Sequence, residues 1–279
     1  MVITDEMCKR FAENLRELER SDRTVEKYTR DIHRFTDHIG NVELSKAVVI
    51  SFKNDLLKEM SPVSANSILA AVNSFLKFLG VPEFCVKAFK IQRRLFSQKN
   101  ELTSLEYKRL VKSAFDTKKD RLALIIQTIC ATGIRVSELR YITVEAVKTG
   151  LAEIACKGKY RVIFIPEKLR VILQKYLKKQ KIYEGTIFVT RNGKPIDRSN
   201  IWRDMKKLCE CAHVAAEKVF PHNLRHLFAR TFYSLEKDIS RLSDILGHSN
   251  ISTTRLYTME CGEDHARQVN MLNLVVCLQ

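Results

Sequence analysis

In HNLRHLFAR, residues 222–230, His222 and Arg225 stand three positions apart. On a helix that spacing puts both side chains on one face, a turn apart. Arginine presents a planar, permanently charged fork that matches phosphate oxygens, and histidine takes or gives a proton near neutral pH. The pair suits the gripping of a phosphate while a proton moves. His226, directly after Arg225, should point elsewhere and serve packing or a structural hydrogen bond. Taken alone, the stretch reads equally well as a solvated helix face with a few basic groups.

Four more stretches extend this chemistry. ATGIRVSELRYI (131–142) supplies Arg135, with Glu138 three residues on and so placed to orient it. An ordinary surface ion pair is the alternative there. Gly133 can bring backbone close to a ligand. CKGKYR (156–161) puts Lys157 and Lys159 around Gly158, and a lysine at a hairpin tip becomes an acid when nearby positive charge lowers its pKa. ILGHSN (245–250) adds His248, and ISTTRLYT (251–258) adds Tyr257. A phenol ionises near pH ~10, so a tyrosine nucleophile needs a base or a positive field at neutral pH. His222 can be that base and the two arginines that field. No GxxxxGK[ST] loop and no cluster of carboxylates occurs in the chain, so nothing in it calls for a nucleotide or a catalytic metal.

These five motifs, in their order along the chain, resemble those of the tyrosine recombinase family, also called phage integrases, over nearly the whole chain. The resemblance implies a clamp on the scissile phosphate by Arg135 and Arg225, with His222 beside them. It implies Lys157 as the acid for the leaving 5′ oxygen, Lys159 being the second choice. His248 falls at the family's second histidine or tryptophan position and would donate a hydrogen bond to the phosphate. Tyr257 would be the nucleophile, leaving a 3′-phosphotyrosine and a free 5′-hydroxyl. A second 5′-hydroxyl reverses that step, so no cofactor is expected. The implied partners are double-stranded DNA carrying specific core sites, a homotetramer in the synaptic complex, and an accessory protein or second recombinase. A type IB topoisomerase-like relaxation of DNA, or a silent site-specific DNA-binding protein, are the alternatives.

Those residues need elements to hold them. Met7, Phe11, Leu15 and Leu18 recur at helical spacing over 4–20. Tyr28, Ile32, Phe35 and Ile39 follow a cap at Ser21 or Thr24, ahead of a stop at Gly40. Two further helices are predicted over about 45–59 and from Ser64 to Leu79, which together make a compact bundle. VKAFKIQRRLFSQKN (86–100) has five basic residues and no acid, as a linker near polyanion would. Beyond it come a helix capped at Thr103 or Ser104 and an apolar helix over 120–130. A hairpin over 151–166 is next, then helix from Arg198 to about Asn273 with breaks near Pro221, Gly247 and Gly262. The expected fold is therefore mainly α: an N-terminal helical core-binding bundle (1–85), a basic linker (86–100), and a mainly helical catalytic domain (101–279) with a small antiparallel β-sheet. In the tail, about 260–279, Val269, Met271, Leu272, Leu274, Val275 and Val276 form an apolar end suited to packing into a neighbouring protomer, or back onto its own domain.

Composition supports the same partner. The 279 residues, 45% of them hydrophobic, can bury a sizeable core, and 48 basic against 32 acidic groups give a net charge of +16. Such a chain draws polyanions. Residues 1–97 hold 16 basic and 13 acidic groups, whereas the remainder holds 32 and 19, so most of the positive field belongs to the second domain. Lys27, Arg30, Arg34, Lys77, Arg93, Arg94 and Lys159 are the candidate DNA contacts, a solvated helix face being the alternative for the first three. No apolar run approaches the ~20 residues of a membrane span, and MVITDEMCKRF is unlike a secretion signal. A cytoplasmic, nucleoid-associated protein without a membrane partner is expected. Cys209, Cys211 and His213 match no common zinc spacing, so no metal site is expected either.

Overall fold

Apolar residues at helical spacing build the first four elements. Helix α1 (Asp5–Glu17), capped by the Thr4 hydroxyl, buries Phe11 and Leu15. Helix α2 (Asp22–Ile39) buries Val25, Ile32, Phe35 and Ile39. Ser45 caps α3 (Lys46–Glu59), and Ser61 caps α4 (Pro62–Phe78), which buries Ile68, Leu69, Val72, Phe75 and Leu76. Aromatic edges close this core, with the Phe11 and Phe75 rings 5.1 Å apart and steeply inclined. Leu18, expected inward, is 58% exposed, because α1 ends one residue before it. Helix α4 starts at Pro62 rather than Ser64, since proline fits a first turn whose N–H has no intrahelical partner.

The computed structural model describes residues 1–91, 100–156, 159–190, 192–248, 250, 251, 253, 254 and 271, with Cys156 and Lys159 described by their backbone. The chain divides into two compact units, Met1–Arg93 and Arg94–Gln279. Among the described residues it is mainly helical with one two-stranded antiparallel sheet, the class expected from the sequence.

The basic segment 86–100 begins as part of the first unit. The Asn73 carboxamide donates to the Val86 carbonyl (2.8 Å) and accepts from its N–H (2.9 Å). Asn66 does the same for Phe89, at 3.0 and 2.7 Å.

In the second unit, α5 (Ser104–Asp116) opens with the reciprocal cap of Thr103 and Glu106. Helix α6 (Asp120–Thr132) is buried on nearly every side, at Leu122, Leu124, Ile125, Ile126 and Ile129, and packs against α5. A 3-10 turn (Val136–Tyr141) and α7 (Val144–Thr149) lead into β1 (Leu151–Cys156) and β2 (Lys159–Phe164). Leu151 pairs with Phe164, Ile154 with Arg161, and Cys156 with Lys159. Strand alternation therefore sets Ala152, Ile154 and Ile163 on the buried face, together with Arg161.

Helices α8 (Glu167–Gln180), α9 (Arg198–Lys206), α10 (Pro221–Glu236) and α11 (Ile239–Leu246) complete the described elements. The helix expected from Arg198 onward stops at Lys206. Residues 207–220 instead make turns that bury Leu208, Cys209, Ala212, Val214 and Val219, with His213 in the left-handed region at φ 51°. Pro221 does start a helix and Gly247 does end one. Gly262 and the tail at 260–279, apart from Met271, lie outside the described residues. Among the described residues, no helix is long and apolar enough to cross a membrane, and no three His, Cys, Asp or Glu side chains gather as metal ligands.

Candidate active site

Three consecutive carbonyls at the end of α11 each accept from a different arginine. Arg161 Nη1 donates to Ile245 (2.9 Å), Arg225 Nη2 to Leu246 (2.7 Å) and Arg135 Nη2 to Gly247 (3.3 Å). The last carbonyls of a helix lack intrahelical donors and carry the negative end of its dipole, so they attract cations. Arg225 also spans to the end of α6, where its Nη1 donates to the Gly133 carbonyl at 2.6 Å, and its side chain is only 1% exposed. Two helix ends thus gather guanidinium groups that come from β2, α10 and the residue before the 3-10 turn.

Glu138 fixes the other side of this cluster. Its carboxylate accepts from the Arg135 N–H (2.7 Å), from Arg135 Nη1 (2.9 Å) and from Arg161 Nη2 (2.5 Å). The acid is buried at 3% exposure, where an ionised carboxylate needs such partners. The side chain of Arg135 stays 42% exposed.

The imidazoles are held neutral. Burial, then Arg225, Arg135 and Arg161, lower the His248 pKa to about 4. Its Nε2 lies 2.9 Å from Arg225 Nη2 and its Nδ1 lies 2.8 Å from the hydroxyl of Thr254, itself fully buried. His222, in the first turn of α10, is lowered by loss of solvent and by Arg225, Arg135 and Arg198. His226 packs on it: the two rings meet edge to face, 4.7 Å apart at 90°, because residues four apart share a helical face. Burial and His222 lower the His226 pKa to about 4.

Glycine is required at both helix ends. Gly133 has φ +66°, and a Cβ there would stand 2.4 Å from the Phe228 ring. It lets Phe228 close over it and offers its carbonyl to Arg225. Gly247 has φ +64°, and its Cβ would stand 2.7 Å from Arg161 Cδ.

The fold therefore brings Arg135, Glu138, His222, Arg225 and His248 into one neighbourhood. Lys157, Tyr257 and the side chain of Lys159 lie outside the described residues, as do Arg93 and Arg94. Arg161 and Thr254 join the site without having been picked out by motif reading. For Arg161 a signal existed, since the alternation Arg161, Ile163, Ile165 puts a charge on the core face of a strand. For Thr254 spacing gives none.

In the first unit, Lys27, Arg30 and Arg34 line a groove of about 570 Å³ beside Ser64 and Ser67. Lys27 donates to the buried Asp31 (2.5 Å) and to the Ser67 carbonyl (3.1 Å), and Arg34 pairs with Glu59. Lys77, in the last turn of α4, lies outside that groove.

Guanidinium groups anchored beside neutral imidazoles suit phosphoryl transfer, where charge must be stabilised and a proton moved. The model of the phage integrase family matches residues 100–261. Tyrosine recombinase XerA of Pyrococcus furiosus is 28% identical over 98% of this chain and 96% of its own length. XerA of Thermococcus kodakarensis is 30% identical over 86% of this chain and 85% of its own. In structure, a lambda integrase dimer bound to a COC′ core site matches with a TM-score of 0.75 at 17% identity, covering 92% of this chain and 95% of that one, a likeness of fold. The chain belongs to the phage integrase family, the tyrosine recombinases. Site-specific recombination of DNA is its activity.

Proposed function

We propose that the protein cuts and rejoins DNA with Tyr257 as nucleophile and the α11 arginine cluster as its phosphate clamp. The observation that supports this reading most is the convergence of Arg135, Arg225 and His248 on the end of α11. Arg135 and Arg225 hold the non-bridging oxygens, where charge must be stabilised in the transition state. Glu138 orients Arg135. As Tyr257 Oη bonds to phosphorus, His222 takes the phenolic proton, and its lowered pKa keeps it free to do so at neutral pH. The bond to the 5′ oxygen breaks and Lys157 protonates that oxygen. The products are a 3′-phosphotyrosine and a 5′-hydroxyl, and attack by another 5′-hydroxyl restores the tyrosine. The phosphodiester's energy stays in the protein–DNA bond, so the cycle needs no ATP. His248 donates to the phosphate from Nε2, which requires the ring to carry its proton there rather than on Nδ1.

In this reading residues 1–85 bind the core site. Lys27, Arg30, Arg34 and Lys77 meet its backbone there, and Arg93 and Arg94 in the basic connector (86–100) and Lys159 in the hairpin add to them. Residues 101–279 carry the chemistry. The apolar tail, about 260–279, packs into a neighbouring protomer in a synaptic tetramer, with room for an accessory or second recombinase. Such a protein works at the nucleoid.

The test is SDS-resistant capture of DNA on the protein, incubated with DNA from around its own gene. Wild type should retain linked DNA and Tyr257→Phe should retain none while still binding. Linked DNA on both would place the nucleophile elsewhere.

A further inference from the structure

Arg161 occupies a position that the reaction scheme leaves without a role. It sits on the inner face of β2, opposite Ile154. Its side chain is 12% exposed, and its two terminal nitrogens are spent on the Glu138 carboxylate (2.5 Å) and the Ile245 carbonyl (2.9 Å). Its stem runs so close over Gly247 that no Cβ fits between them. One side chain therefore touches the strand after the Lys157 turn, the acid that orients Arg135, and the helix end on which Arg135, Arg225 and His248 rest.

We propose that Arg161 is a positioning residue of the active site, acting through Glu138 on Arg135 and through the end of α11 on Arg225 and His248. The proposal rests on the reading of Arg135 as a phosphate contact. Two physical consequences follow from the shared carboxylate. With both arginines present, Glu138 offsets one of two positive charges, so Arg135 keeps attraction to spare for an anion. Without Arg161, Arg135 becomes the sole cation facing Glu138, which neutralises it and draws it inward. The carbonyl contact adds a geometric restraint, because the hairpin cannot slide against α11 while Arg161 bridges them. Arg161 itself is too enclosed to act as a further phosphate ligand in this arrangement.

The experiment uses full-length protein and a duplex carrying the site recovered by covalent capture. It measures the rate of covalent-complex formation at saturating DNA, the Kd for the same duplex, and the unfolding midpoint. Arg161→Gln should slow cleavage roughly 100-fold, the scale of a small misplacement of reacting groups, with Kd unchanged. Arg161→Lys keeps the charge but reaches one acceptor at a time, so it should fold like wild type and still be slow. Glu138→Gln combined with Arg161→Gln should lose less than the product of the two single losses, since the two residues share the route through Arg135. Wild-type cleavage by Arg161→Gln or Arg161→Lys would overturn the proposal, as would losses that multiply in the double variant. Wild-type cleavage by Arg135→Gln, run in the same series, would instead overturn the reading of the site itself.

Discussion

Nε2 of His248 faces Nη2 of Arg225 at 2.9 Å, and since a guanidinium only donates, the imidazole accepts there and carries its proton on Nδ1, toward Thr254. Arg225 is therefore aimed by groups that do not neutralise its charge. Carbonyls and a neutral ring hold Arg225, whereas an ion pair with an acid holds Arg135.

Acid should loosen this unit before it charges the rings. His226 and His248 have folded pKa values of about 4 against an ordinary 6.5. Between those values the unfolded chain binds more protons than the folded one. Stability is thus full above pH 6.5, falls as the pH drops, and levels off below about 4. For His226 the whole difference is on the order of 3 kcal/mol. Urea unfolding at a series of pH values should show this slope in the wild type and a flatter one in His226→Gln. Equal slopes in the two proteins would count against it.

Gly133→Ala should cost roughly 2–3 kcal/mol, combining left-handed backbone strain with overpacking. The new methyl meets the Phe228 ring at 2.4 Å. Placed in a Phe228→Ala background, the same change should cost less, leaving mainly the backbone part. The same cost in both backgrounds, measured by denaturant unfolding, would show that the ring is not the obstacle.

A phosphate that reaches Arg34 must compete with Glu59, which already holds it. Glu59→Gln should therefore tighten DNA binding and steepen its decline with salt. Arg34→Ala should weaken binding and reduce the salt slope by about one. Fluorescence anisotropy across a salt series measures both. Unchanged affinity in both variants would remove Arg34 from the interface.

The bundle was legible because each of its helices has one apolar stripe: Phe11 and Leu15, or Ile32 and Phe35, can be placed from spacing alone. The hairpin was legible from alternation. The turns over 207–220 were not, since Leu208 and Ala212, four apart, mimic a helical period while the backbone turns at His213. Within the site, His222 and Arg225 were identifiable from helical spacing, Arg135 as a residue type beside Glu138, and His248 from the resemblance of its motif. Their common support was not. Arg225 meets the Gly133 carbonyl across 92 positions and Arg161 meets the Ile245 carbonyl across 84, and carbonyls have no side-chain signature to read.

The two asparagines of α4 that clasp the chain leaving the bundle act as a gauge. Seven helical residues from Asn66 to Asn73 advance about 10 Å, and three extended residues from Val86 to Phe89 advance about the same. Both carboxamides can be satisfied at once only because those lengths agree. Inserting or deleting one residue between Val86 and Phe89 would put a clasp out of step, so the helix itself measures this stretch of chain.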